Sequence, residues 1–108
     1  ENTDRTFSPD FSMATLCREV GSNTKYVSMV INATYNKNFK TLLNERRVRE
    51  AARQLSAPGP HNSATIQQLA FSLGYSSSTS FIIAFKKVMG MTPTVYRRLA
   101  NERKEHVG

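Results

Sequence analysis

Two stretches of this chain, Thr24–Asn32 and Ser77–Lys86, carry the side chains best placed to touch a ligand. At helical spacing the outward positions of the first are Thr24, Lys25, Ser28, Met29 and Asn32. Those of the second are Ser77, Ser78, Thr79, Ile82, Ile83 and Lys86. Lys25, Asn32, Ser78 and Thr79 offer donors and acceptors, while Met29, Ile82 and Ile83 offer apolar contact. Lys and Asn on an outward helix face are solvated by default, but exposed Met29, Ile82 and Ile83 are costly without a partner. Covalent chemistry is not within reach of these groups. The serines lack a base at any recognisable spacing, and no phosphate-binding glycine loop is present. His61 and His106 are 45 residues apart and have no companion ligands, so no catalytic residue, metal or cofactor is expected. The single cysteine, Cys17, excludes an internal disulfide and reads as a small buried apolar side chain.

Charge narrows the choice of ligand. The 108 residues carry a net +7, but residues 1–23 have two bases against four acids. Residues 24–98 have eleven bases against only Glu45 and Glu50, a net of +9. An excess this one-sided calls for a polyanion. Apolar content of 39% suffices for a packed core. No run approaches the ~20 apolar residues of a membrane span, and the start has no signal-peptide pattern, so the chain reads as cytoplasmic with no membrane partner.

The elements that must hold these side chains come in two copies. Met13, Leu16, Cys17, Val20 and Gly21 recur as Ile66, Leu69, Ala70, Leu73 and Gly74 at an offset of 53. Val27, Ile31, Asn36 and Phe39 then match Phe81, Phe85, Gly90 and Pro93 at an offset of 54. Each copy reads as a short amphipathic helix, a turn at glycine and a second amphipathic helix, the shape of a helix-turn-helix. Ser8-Pro9-Asp10 announces the first helix, with Met13, Leu16, Cys17 and Val20 facing inward. Val27, Val30 and Ile31 form the inward face of the second. Leu42, Leu43, Val48, Ala51, Ala52 and Leu55 predict a longer helix over 39–55, a strut shared by the two halves. Ala57-Pro58-Gly59-Pro60 stops it and marks the boundary. Thr65 and Gln68 match a capping box, and Thr92-Pro93 pairs a capping hydroxyl with proline at the first helical position. In the second copy Phe81, Ala84, Phe85 and Val88 face inward, as do Val95, Tyr96 and Leu99 in the last helix. The expected fold is all-α, about seven helices, with two helix-turn-helix units joined by a long linker helix. The first unit plus linker helix covers 8–56, the second unit covers 63–104, and 1–7 reads as a linker remnant.

In such a unit the second helix enters the major groove with its N-terminal residues against base edges. Thr24, Lys25, Ser28, Met29 and Asn32, with Ser78, Thr79, Ile82 and Ile83, are therefore the base-reading candidates, the apolar ones suited to thymine methyls. Helix N-termini aim free amides outward and favour phosphate. Those opening near Asn23, Thr65, Ser77 and Thr92 are candidate phosphate clamps, supported by Lys40, Arg46, Lys86, Lys87 and Arg97. Sequence-specific binding of double-stranded DNA follows as the expected function. The alternative is a protein-interaction module that docks a sensor domain or RNA polymerase through Met29, Ile82 and Ile83.

Gly74-Tyr75-Ser76-Ser77-Ser78-Thr79-Ser80-Phe81-Ile82-Ile83-Ala84-Phe85-Lys86-Lys87, then Gly90-Met91-Thr92-Pro93 and Tyr96-Arg97, resembles the signature of the AraC/XylS family of bacterial transcription regulators. In the first copy Asn23 to Ser28, Ile31-Asn32, Lys37-Asn38-Phe39 and Asn44 to Ala51 resemble the variant common in Bacteroidetes. The resemblance covers about residues 8–99. It implies an all-helical DNA-binding domain of two helix-turn-helix units bridged by a long helix, which usually follows a sensor or dimerisation region. Ile83 and Met29 stand where family members often have a basic or amide residue, which implies either reading by shape and methyl contact there or, most of all in the second unit, a role chiefly in holding the backbone.

Overall fold

The computed structural model describes residues 5–57 and 64–107, with side chains described through Arg103. Its helix starts are set by side chains that accept an otherwise free amide three residues on. Ser12, Asn23, Asn38, Thr65 and Ser77 take the amides of Thr15, Tyr26, Thr41, Gln68 and Ser80, and Thr92 takes that of Val95. The helices that follow are α1 (Met13–Val20), α2 (Thr24–Tyr35), α3 (Phe39–Ser56), α4 (Ile66–Ser72), α5 (Ser78–Met89) and α6 (Pro93–Val107). A 3-10 turn over Arg5–Phe7 precedes them, so the described residues hold seven helical elements and no strand.

Helix ends follow the expected chemistry at the repeat-matched positions. Gly21, Asn36 and Gly90 take the left-handed conformation that their types tolerate. The first start differs from expectation. The hydroxyl of Ser8 accepts the amide of Asp10 within a turn, and α1 begins four residues later, where Ser12 and Thr15 cap one another reciprocally. Where the sequence reads a linker over 1–7, residues 5–7 form the 3-10 turn, and Phe7 packs against the core. Pro58, Gly59, Pro60 and His61 lie outside the described residues, as do the side chains of the tail including His106.

The core belongs to the second unit and the C-terminal half of α3. Val48, Ala51, Ala52 and Leu55 close over Leu69, Leu73, Phe81 and Phe85, each full burial of a Leu- or Phe-sized side chain stabilising by roughly 1.5–3 kcal/mol. Phe81, Phe85 and Tyr96 stack edge to face in series, with centroids 5.8 and 5.5 Å apart, and carry the core into α6. The first unit is far thinner: Cys17 and Val27 are its buried side chains. Val20 and Val30, both expected inward, are exposed, and the repeat shows why. Leu73, the counterpart of Val20, is 1% exposed in the cluster built around the α3 stripe, whereas Val20 is 58% exposed and lies outside that cluster. An open groove of about 780 Å³ remains there, floored by Phe11, Leu16, Ile31, Phe39 and Leu42. Val88 and Leu99 are also exposed against expectation. Val88 borders a cleft between α3 and α5, and Leu99 lies beyond the Phe85–Tyr96 contact.

The result is an elongated body, 50 × 27 × 25 Å, with α3 packed along both α5 and α6 and also meeting α2.

Candidate nucleic-acid interface

Gly21 turns the chain between α1 and α2 at φ 70°, and its flanking amides return to the end of α1: Gly21 N–H to Arg18 O at 3.3 Å, Ser22 N–H to Cys17 O at 3.0 Å. The Cys17 thiol, buried as expected, donates weakly to Thr24 Oγ1 at 3.8 Å. Val27 turns inward, and Lys25, Met29 and Asn32 are left exposed one turn apart on the opposite face. The same arrangement recurs in α5, where Phe81 and Phe85 turn inward and Thr79, Ile83 and Lys86 are exposed. The two exposed triads correspond position by position at the repeat offset of 54. Each has a polar residue, a large apolar one and a polar one, with Met29 58% and Ile83 64% exposed.

The remaining base-reading candidates divide. Thr24 is exposed, while Ser28, Ser78 and Ile82 are half-buried on the flank of each helix. Asn32 donates its Nδ2 to the Ser28 carbonyl at 2.9 Å, which orients the amide and leaves its Oδ1 as an acceptor. Sequence reading missed Tyr26. It is exposed in the first turn of α2 beside Lys25, and its polar counterpart Ser80 could have marked the position as outward.

Of the phosphate candidates, Asn23, Thr65, Ser77 and Thr92 are all N-caps, each using its side-chain oxygen on one amide of its own helix. Thr65 is the most committed, since its amide is also taken by Gln68 Oε1 at 2.9 Å. Lys40, Lys86 and Lys87 are exposed. Lys40 and Lys87 line one cleft at the crossing of α3 and α5. Two candidates are partly engaged in the fold. The Arg46 guanidinium lies 5.7 Å from the Phe7 ring centroid, and Arg97 Nη1 donates to the Ala64 carbonyl at 2.6 Å, tying α6 to the start of α4.

The two acids of the basic stretch are neutralised locally. Glu45 accepts from Lys37 Nζ at 2.8 Å. Glu50 takes Arg53 at 2.6 and 3.0 Å and Gln54 at 2.8 Å, and the Arg53 hydrogen bonds hold its carboxyl below the usual carboxylate range. The field around the lysines is therefore left positive.

A second cluster went unread in the sequence because its members are far apart along the chain. Arg47 on α3 is buried, its guanidinium 5.1 Å from the ring centroid of Tyr75, whose hydroxyl bonds to Asn44. It links α3 to the turn of the second unit.

A family model described as a helix-turn-helix domain matches residues 16–99. The chain is 38% identical over 66 residues to an AraC-like transcription regulator of Streptomyces lividans, covering 61% of this chain and 20% of that protein. It is 26% identical over 92 residues to the raffinose operon transcriptional regulatory protein RafR of Pediococcus pentosaceus, covering 85% of this chain and 32% of that protein. It thus spans between a fifth and a third of the length of these curated relatives. Among solved structures it resembles the C-terminal domain of AraT, a response regulator from Geobacillus stearothermophilus. The TM-score is 0.78 at 28% identity, over 87% of this chain and 74% of that one. The DNA-binding domain of AdpA, solved in complex with a target DNA, shares the fold at a TM-score of 0.79 and 19% identity, over 89% of this chain and 83% of that one. With the family match running through both repeated units, the chain belongs to the helix-turn-helix family of AraC/XylS-type DNA-binding domains of transcription regulators.

Proposed function

We propose that this DNA-binding domain reads two successive major-groove segments of double-stranded DNA, one with α2 and one with α5. The correspondence of the exposed triads carries the reading: Lys25, Met29 and Asn32 recur as Thr79, Ile83 and Lys86 on the second helices of two units joined by α3. The 50 Å long axis accommodates two groove segments about 34 Å apart. Lys25, Asn32 and Thr79 hydrogen-bond to base edges, with Thr24, Ser28 and Ser78 beside them, and Met29, Ile82 and Ile83 meet thymine methyls. The N-caps Asn23, Ser77 and Thr92, and to a lesser degree Thr65, present their remaining helix amides to phosphates. Lys40 and Lys87 hold the backbone where α3 crosses α5, with Arg46, Lys86 and Arg97 adding charge. The AraT fragment is the C-terminal domain of a response regulator, and the curated relatives are three to five times as long as their matched region. Both support a role as the output domain of a longer regulator whose remainder senses a signal or dimerises.

A salt titration on a site selected from a random DNA pool tests the reading. The log–log slope of affinity against salt should be roughly −5 to −8 if about six to nine phosphates are neutralised. A slope near zero, or no binding at low salt, overturns it and favours the protein-interaction alternative.

A further inference from the structure

Arg47 is 6% exposed, a buried charge held by two carbonyls and an aromatic ring. Its Nε donates to the Thr6 carbonyl at 2.7 Å, its Nη2 to the Ser8 carbonyl at 3.0 Å, and its flat face covers Tyr75. Burying a charge among neutral groups is costly, and an apolar residue would fill the same space without that penalty. What the guanidinium supplies instead is a fixed fork with donors aimed at two carbonyls of one short segment.

That segment and the residues flanking it reach α1, α3 and the core of the second unit. Arg5 pairs with Glu19 at the end of α1, Phe11 packs on Phe39 at the start of α3, and Phe7 joins the core of the second unit. The turn of the second unit closes against it from the other side. A Cβ added at Gly74 would lie 2.7 Å from Arg47 Nη2 and 3.0 Å from the Phe7 carbonyl oxygen. At Gly21, the matched turn of the first unit, the same atom would meet nothing within 4 Å. Close approach is therefore not a requirement of the helix-turn-helix turn, and arises where the N-terminal segment, α3 and the second unit come together.

We propose that Arg47 is a positioning residue: it latches residues 6–8 to the turn before α5, and so sets the orientation of α5 relative to α2 on DNA. The proposal rests on the two-groove reading above.

The test uses this chain with Arg47→Lys, which keeps the charge but loses the fork, Arg47→Met, which loses both, and Phe7→Ala, which loosens the segment with Arg47 intact. Affinity is measured on the full site, on each half-site, and on a full site lengthened by one base pair, alongside amide exchange at Gly74 to Ser77. Each variant should bind the full site about tenfold more weakly, keep half-site affinity within about twofold, and lose much of the penalty for the lengthened site. Exchange at Gly74 to Ser77 should quicken while the core of α5 stays protected. Equal losses on full and half-sites, or an unchanged spacing penalty, overturn the latch and leave Arg47 a packing residue. If Arg47→Met fails to fold, Arg47→Lys and Phe7→Ala still decide the matter. If the unaltered chain binds no DNA at low salt, the DNA reading falls, and unchanged exchange at Gly74 to Ser77 in the variants then overturns the latch separately.

Discussion

The hydroxyl of Tyr75 donates a 2.8 Å hydrogen bond to Oδ1 of Asn44, joining the turn of the second unit to the first half of α3. Tyr75 is buried, so its hydroxyl needs this partner. Tyr75→Phe keeps the ring beneath Arg47 and removes the bond, leaving Asn44 short of a donor. Denaturant unfolding should show a loss of about 1–2 kcal/mol with the slope unchanged.

The same phenol makes stability depend on alkaline pH. Burial pushes Tyr75 up to about 12 from an ordinary 10.0, against the opposing pull of the Arg47 charge. Below pH 10 it is protonated in both states and its contribution is complete. Above 10 the unfolded phenol ionises while the folded one keeps its proton, so stability falls through pH 12, by roughly 2–3 kcal/mol from this group. Tyr75→Phe should show a flatter decline over that window, and parallel curves for the two proteins would refute the assignment.

Gly21 and Gly74 separate backbone strain from crowding. Both have positive φ, 70° and 99°, so alanine at either should cost roughly 1–2 kcal/mol. At Gly74 the methyl also collides with Arg47 and the Phe7 carbonyl. Gly74→Ala should therefore lower thermal stability beyond Gly21→Ala by a further ~1–3 kcal/mol.

On DNA, Lys25→Ala or Asn32→Ala should cost ~1–3 kcal/mol on the preferred sequence and relax the choice of base there. Lys40→Ala or Lys87→Ala should weaken binding to all sequences alike and reduce the salt slope by about one. Competition with mutated sites distinguishes the two classes, and the reverse pattern would mean that α2 is turned the other way.

Core substitutions should reveal the imbalance between the halves. Leu55→Ala, at a fully buried position of the α3 stripe, should cost about 2–5 kcal/mol. Leu16→Ala, on the half-buried floor of the open groove, should cost distinctly less in the same calorimetric scan.

Much of this was legible in the sequence because it is written locally. Caps, breakers and helical periodicity act within four residues, so Asn23, Thr65 with Gln68, Ser77 and Thr92-Pro93 announced their helices, and the repeat announced the architecture. What stayed hidden depends on contacts between distant residues. Val20 and Leu73 look alike in sequence, and only the position of α3 decides that one is buried and the other is not. Arg47 reads as one more base in the run Arg46 to Arg53, because its partners lie 39 and 41 residues away. Thr6 and Ser8 contribute carbonyls, which no side-chain pattern records.

The uneven packing also bears on how the protein is made. Chains emerge from the ribosome N-terminus first, at about 5–20 residues per second, and domains generally fold as units. Here α1 and α2 emerge before α3, and the side chains that α3 closes over, Leu69 to Phe85, come later still. The core that anchors α3 is therefore complete only once residues through Phe85 have been synthesised, and until then the thinly packed first unit has little buried surface of its own to hold it.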